Sequence, residues 1–131
     1  MATTTRRFGA VLWTVQGLLA LLFVFAGVTK FTLPAEVLTS GPVPLPLGFI
    51  RFIGVAELLG GLGLVLPGVL RVARGATPLA ALGLVTIMTG ATAITVQDGA
   101  VAAAAIPGLV AALAAVVALG RREWAGRLAG I

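Results

Sequence analysis

The sequence predicts an all-α fold: an integral membrane four-helix bundle in one transmembrane domain, residues 1–131. Three observations carry this. First, 60% of the residues are hydrophobic and 10% charged, with a mean hydropathy of +1.15, whereas a soluble domain is about 25% charged. Second, apolar residues fall into four segments, 9–29, 48–66, 77–96 and 101–119, each near the ~20 residues that cross a ~30 Å hydrocarbon core. Third, the basic residues stand at the ends of these segments.

The first segment follows Arg6 and Arg7. The "TRRF" of residues 5–8 echoes a twin-arginine signal. Yet the apolar run is long for a signal core and no clean small-x-small cleavage site follows, so it is expected to remain as a span. The backbone polar groups of such a segment must be satisfied within it, which requires a helix. Gln16, Ala20, Phe23, Gly27 and Lys30 share one stripe on this helix. Gln16 is expected on the cytoplasmic side of the midplane and Lys30 at the outer boundary.

Between the first two segments lies "TLPAEVLTSGPVPLPL", residues 32–47. Pro34 can open a short helix at its first position. "PVPLP" should be extended, because proline fixes its own φ and restricts its predecessor. This loop is read as interfacial and non-cytoplasmic, or more sharply as a lid over a cavity among the helices.

The second segment holds Glu57, nine residues from each of its ends and hence near the midplane. A carboxylate at that depth costs at least ~2.5–3.5 kcal/mol on insertion scales. It must pair, accept hydrogen bonds or keep a proton. Ile53, Gly54, Gly60, Gly61 and Leu64 lie within about 60° of it at 100° per residue, so this face should be interior and closely approached by another helix. Arg51 is rotated away and about 9 Å nearer the outer surface. Arg51 and Lys30 are therefore expected to snorkel at the outer rim rather than to pair with Glu57.

The third segment places Gly83, Thr86, Thr89, Gly90, Ala93 and Gln97 on one side. Thr86 lies at about the depth of Glu57 and is expected to neighbour it, with a shared hydrogen bond. Back-bonding of the threonines to their own helix is the competing expectation. The fourth segment is built of small residues that allow close packing in lipid, and Pro107 should kink it.

Seven of the nine basic residues fall on one side: Arg6, Arg7, Arg71, Arg74, Arg121, Arg122 and Arg127. The N- and C-termini are therefore expected to be cytoplasmic. The charge of +5 does not point to nucleic acid, because the arginines flank apolar runs instead of forming a patch with aromatics. Cys, His and Tyr are absent, which removes disulfides, thiolate metal sites and histidine ligation of haem. No metal site and no resident cofactor are evident, and redox chemistry would need a quinone or cofactor from outside. Ala-, Gly- and Arg-rich usage with a single Lys suits a high-GC bacterium, and the expected location is its inner (plasma) membrane.

"FAGVTKF" at 25–31, a proline-bearing loop, and "RFIGVAELLGGLGLVLP" at 51–67 resemble the DoxX family of small four-helix membrane proteins. The matching positions are Lys30, Arg51 and Glu57. The resemblance implies an integral membrane protein with a loose link to oxidoreductase complexes and quinone-linked respiration. Three functions compete. One is an accessory or binding subunit, with Glu57, Thr86, Gln16, Lys30 and Arg51 around a cavity that takes a quinone, another lipophilic ligand or a partner helix. A second is a membrane enzyme of isomerase or cyclase type with Glu57 as catalytic acid or base. The third is a proton-linked transporter, which four short helices could form only as a homo-oligomer. Membrane lipid is a partner in every case.

Overall fold

The computed structural model describes residues 2–40, 45–99 and 101–123. It contains α1 (Ala2–Thr32), a single turn α2 (Ala35–Leu38), α3 (Leu47–Leu70), α4 (Ala76–Gln97) and α5 (Val101–Gly120). The described residues include no strand. Stretches of α1, α3, α4 and α5 of 26, 24, 22 and 20 residues are long and apolar enough to cross a membrane. Pro34 caps α2 from outside, one position earlier than its expected place in the first turn. Residues 42–44 of the expected extended "PVPLP" lie outside the described residues, while Leu45 and Pro46 lead directly into α3.

The four long helices form a ring in which α1 packs on α3, α3 on α4, α4 on α5, and α5 more lightly on α1. The start of α1 and the end of α5 meet, since a Cβ on Gly120 would lie 2.6 Å from Leu12 Cδ2. Large apolar side chains point outward: Leu21 is 72% exposed, Phe25 71% and Ile106 71%. Water would not tolerate so continuous an apolar surface, whereas lipid is its natural solvent. Facing inward, Leu19, Phe23, Leu64, Ala81, Leu84, Val110, Ala114, Val117 and Ala118 form a core. These residues occupy the half of the bundle that holds the paired ends of α1 and α5.

Close approach is provided by glycine. A Cβ on Gly27 would lie 2.8 Å from Gly54 O, and one on Gly54 would lie 2.9 Å from Lys30 Cβ. Thus α1 and α3 touch almost backbone to backbone at this level. Adjacent Gly60 and Gly61 admit Leu84 of α4 and Phe23 of α1, respectively.

Two helices carry a proline beyond their first turn, Pro67 in α3 and Pro107 in α5. Pro67 has no N–H to donate to Gly63 O, and an orphaned carbonyl has no water to turn to in hydrocarbon. Thr77 of α4, fully buried, donates its hydroxyl to Gly63 O at 2.9 Å. One residue on, Gln16 of α1 donates Nε2 to Leu64 O at 2.6 Å. These bonds let α3 run past Pro67 to Leu70, beyond the end that the apolar run alone indicates. Gln16 Oε1 in turn accepts from Arg121 Nε at 2.8 Å, and the Arg121 guanidinium lies 5.3 Å from the Trp13 ring centroid. Burial pushes the Arg121 pKa down, with nearby Glu123 opposing. One proline break is therefore the junction at which all four long helices are tied. α5 likewise runs unbroken through Pro107.

Thr77→Val should lower the free energy of unfolding in a membrane-mimetic by about 1–2 kcal/mol, because it leaves Gly63 O unpaired. Thr86→Val should change it by less than about 0.5 kcal/mol, since Thr86 bonds only within its own helix. Equal losses in reversible detergent-denaturation curves would refute the repair role of Thr77.

Candidate intramembrane binding site

Glu57 is buried at 3% exposure on the inner face of α3, together with Ile50, Gly54, Gly60, Gly61 and Leu64. Its Oε2 accepts from Lys30 Nζ at 3.1 Å. The expectation that Lys30 stays at the rim is thus corrected, and the physical reason is helix geometry. Every Cα–Cβ bond in a helix tilts toward that helix's N-terminus. α1 and α3 are antiparallel neighbours, so Lys30 leans inward from the end of α1 while Glu57 leans outward from the middle of α3. The two lean toward each other. The missing side chain at Gly54 lets the Lys30 stem lie against the α3 backbone, and Nζ also reaches back to Ala26 O at 3.5 Å.

Beside this pair, in the half of the bundle away from the apolar core, lies a cavity of about 520 Å³. Its α3 wall includes Phe49, Phe52, Ile53 and Ala56, and its α4 wall runs from Thr86 to Thr95. Lys30, Leu45 and Pro107 complete it from α1, the loop before α3, and α5. Lining residues Phe52, Thr86, Gly90 and Ile94 are exposed, so the cavity opens sideways toward lipid. Its origin is the unequal spacing of α3 and α4. Gly63 and Ala80 hold them together near one end, where a Cβ on Gly63 would lie 2.8 Å from Ala80 Cβ. Beyond Glu57 the bulkier Phe49, Phe52, Ile87 and Ile94 face the gap.

The structure brings Lys30, Glu57 and Thr86 to this one cavity. Thr86 does not bond Glu57: its hydroxyl donates to Leu82 O at 3.0 Å. The expected interior face of Gly83, Thr86, Thr89, Gly90, Ala93 and Gln97 is in fact exposed, and α4 buries Thr77, Pro78, Ala81 and Leu84 instead. A threonine that satisfies its hydroxyl on its own helix is compatible with lipid, so threonines do not mark the interior face. Gln16 is fully buried but serves the Pro67 junction and does not line the cavity. Arg51 is exposed and does not line it either. Sequence reasoning missed Thr77 and Arg121, whose signal was a helix-interrupting Pro67 in need of polar neighbours. It also missed Thr95, about two and a half turns along α4 from Thr86. Among the described residues, no group of three or more His, Cys, Asp and Glu converges on a metal position.

Lys30→Met leaves Glu57 buried without its partner and should cost about 3–5 kcal/mol of stability. Lys30→Met with Glu57→Leu should recover more than half of that loss. A double variant no more stable than Lys30→Met would show that the two side chains are not energetically coupled.

The sequence was also compared with known proteins. Comparison with curated proteins and with solved structures returns no match. The family model of the DoxX-like family matches residues 14–117, a range that includes Lys30, Glu57, the cavity walls, and Gln16, Pro67 and Thr77 of the junction. The chain belongs to the DoxX-like family, and is a multi-pass membrane protein of it.

Proposed function

We propose that this protein is a binding subunit that holds a lipophilic small molecule, of quinone-like size, in the cavity beside Lys30 and Glu57. One observation carries the reading: a buried, ion-paired floor beneath an otherwise apolar cavity of about 520 Å³ that opens to lipid. Ligand sites are typically concave and apolar, about 300–1,000 Å³, with a few placed polar groups. A membrane-dissolved ligand would enter sideways between α3 and α4, leave its tail near Phe49 and Phe52, and seat its head at the ion pair. The basic residues suggest cytoplasmic termini in a bacterial plasma membrane, which puts the cavity in the outer half of the bilayer. Service to a membrane oxidoreductase follows as a role, with the redox centre supplied by the partner.

A second reading gives Glu57 a catalytic role. It is favoured by the position of the carboxylate at the cavity edge, within reach of a bound apolar substrate. Isomerisation by proton transfer would need no metal. Under this reading Glu57→Gln abolishes turnover and spares binding.

Cavity filling separates occupancy from the background of bulk lipid. Protein purified in nanodiscs should carry a co-purifying lipophilic molecule detectable by mass spectrometry. Ala91→Phe and, independently, Ala56→Phe should each reduce it by about tenfold or more while thermal stability is retained. Identical extracts from the wild type and both variants would exclude a bound ligand in this cavity.

A further inference from the structure

Resting on the reading that the cavity is a ligand site, the polar atoms around it point to a more specific class of occupant. Glu57 bonds Lys30 through Oε2 alone, and its Oε1 takes part in no hydrogen bond among the described residues. Oε1 is not sealed in the interior, and the open space that Glu57 borders is the cavity. A carboxylate on a side chain only 4% exposed therefore presents a free acceptor there. The two threonines on the α4 wall add to the same polarity. Thr86 spends its proton on Leu82 O at 3.0 Å, and Thr95 spends its proton on Ala91 O at 2.7 Å. Each hydroxyl oxygen then has only lone pairs left to offer. Among the lining side chains Lys30 is the one donor with protons to spare, because an ammonium carries three and two are directed to Glu57 and Ala26.

The site thus combines several acceptors with one donor, and the donor stands next to the strongest acceptor. We infer that the cavity takes an apolar molecule with a hydroxyl head, an alcohol, phenol or hydroquinone, in preference to one whose head only accepts. A hydroxyl donates to Glu57 Oε1 and accepts from Lys30 Nζ with a single oxygen. A quinone carbonyl can satisfy Lys30 but leaves Glu57 Oε1, Thr86 and Thr95 facing an acceptor or an apolar ring. In a lipid-facing cavity that mismatch is expensive, since a buried charged acceptor left without a donor loses more than a neutral one. For a redox pair of ligands, the reduced form is therefore the one retained.

Three probes with one tail separate the possibilities: an alkyl hydroquinone, its benzoquinone, and its dimethyl ether, titrated anaerobically against protein in nanodiscs. The hydroquinone should bind about tenfold or more tightly than either other probe, the scale of a hydrogen bond to a charged group. Glu57→Gln should reduce hydroquinone affinity by about tenfold and leave the ether within about threefold. Thr86→Val, which spares the ion pair, should weaken the hydroquinone severalfold and the ether not at all. Quinone binding as tight as hydroquinone binding, and abolished by Ala91→Phe, would overturn the hydroxyl preference and leave the cavity as a ligand site. Equal uptake of all three probes, unchanged by Ala91→Phe, would overturn both.

Discussion

A polar group without a partner in hydrocarbon has no water to fall back on, and Pro67 creates such a group inside α3. The arrangement of the bundle can be read outward from that constraint. Gly63 O needs a donor, and Thr77 supplies it across the α3–α4 contact. Leu64 O, one residue further, receives Gln16 from α1. Gln16 is then free to accept only through its oxygen, and Arg121 at the end of α5 provides the donor. Thr77 meets the need that Pro67 creates, and Gln16 and Arg121 extend the same cluster to α1 and the end of α5. Interhelical hydrogen bonds in membranes average only about 0.6 kcal/mol, so their importance here lies in register. Helices without a hydrophobic driving force between them slide easily, and three bonds at one level fix the relative heights of α1, α3, α4 and α5.

With that end fixed, the other end can remain open. The apolar core from Leu19 to Ala118 and the small residues of the α3–α4 contact fill the tied half. In the opposite half, Lys30 and Glu57 join α1 to α3 across the Gly27–Gly54 approach, while α4 stands off and leaves the cavity. A lone carboxylate at this depth would be costly, and so would a lone ammonium. Together they form a neutral pair, and the chain retains the polar floor without an isolated charge. The pair takes one carboxylate oxygen and leaves the other at the cavity, which a bidentate arginine in the position of Lys30 would not do.

Much of this was legible in the sequence. Four apolar runs of spanning length required four helices, and the glycine spacing around Glu57 identified the buried face of α3. The stripe of Gln16, Phe23, Gly27 and Lys30 likewise faces inward. Two features were not legible, each for a definite reason. The Lys30–Glu57 contact depends on side-chain tilt in two antiparallel helices, and depth counted from Cα positions alone overstates the gap between them. The face of α4 was misassigned because Thr86 and Thr89 look polar in sequence, whereas a back-bonded threonine such as Thr86 has its hydroxyl proton satisfied on its own helix and needs no interior partner. The threonine that does hold helices together, Thr77, sits at the start of α4, where its role becomes visible only once Pro67 is seen to free Gly63 O.

The two internal prolines show the same constraint with different outcomes. Pro67 lies where helices are close, and neighbouring helices meet its demand. Pro107 lies at the cavity wall, and its ring nitrogen likewise offers nothing to Ala103 O, the carbonyl one turn before it. No side chain among the described residues donates to Ala103 O. Thr92 of α4, which stands against Gly108, spends its hydroxyl proton on Met88 O. Ala103 O is thus a carbonyl deprived of its helical donor, one turn before the proline that lines the cavity. Pro107 stands beside the cavity with its helix unbroken, whereas Pro67 stands in the tied half of the bundle, where Thr77 of a neighbouring helix supplies the missing donor.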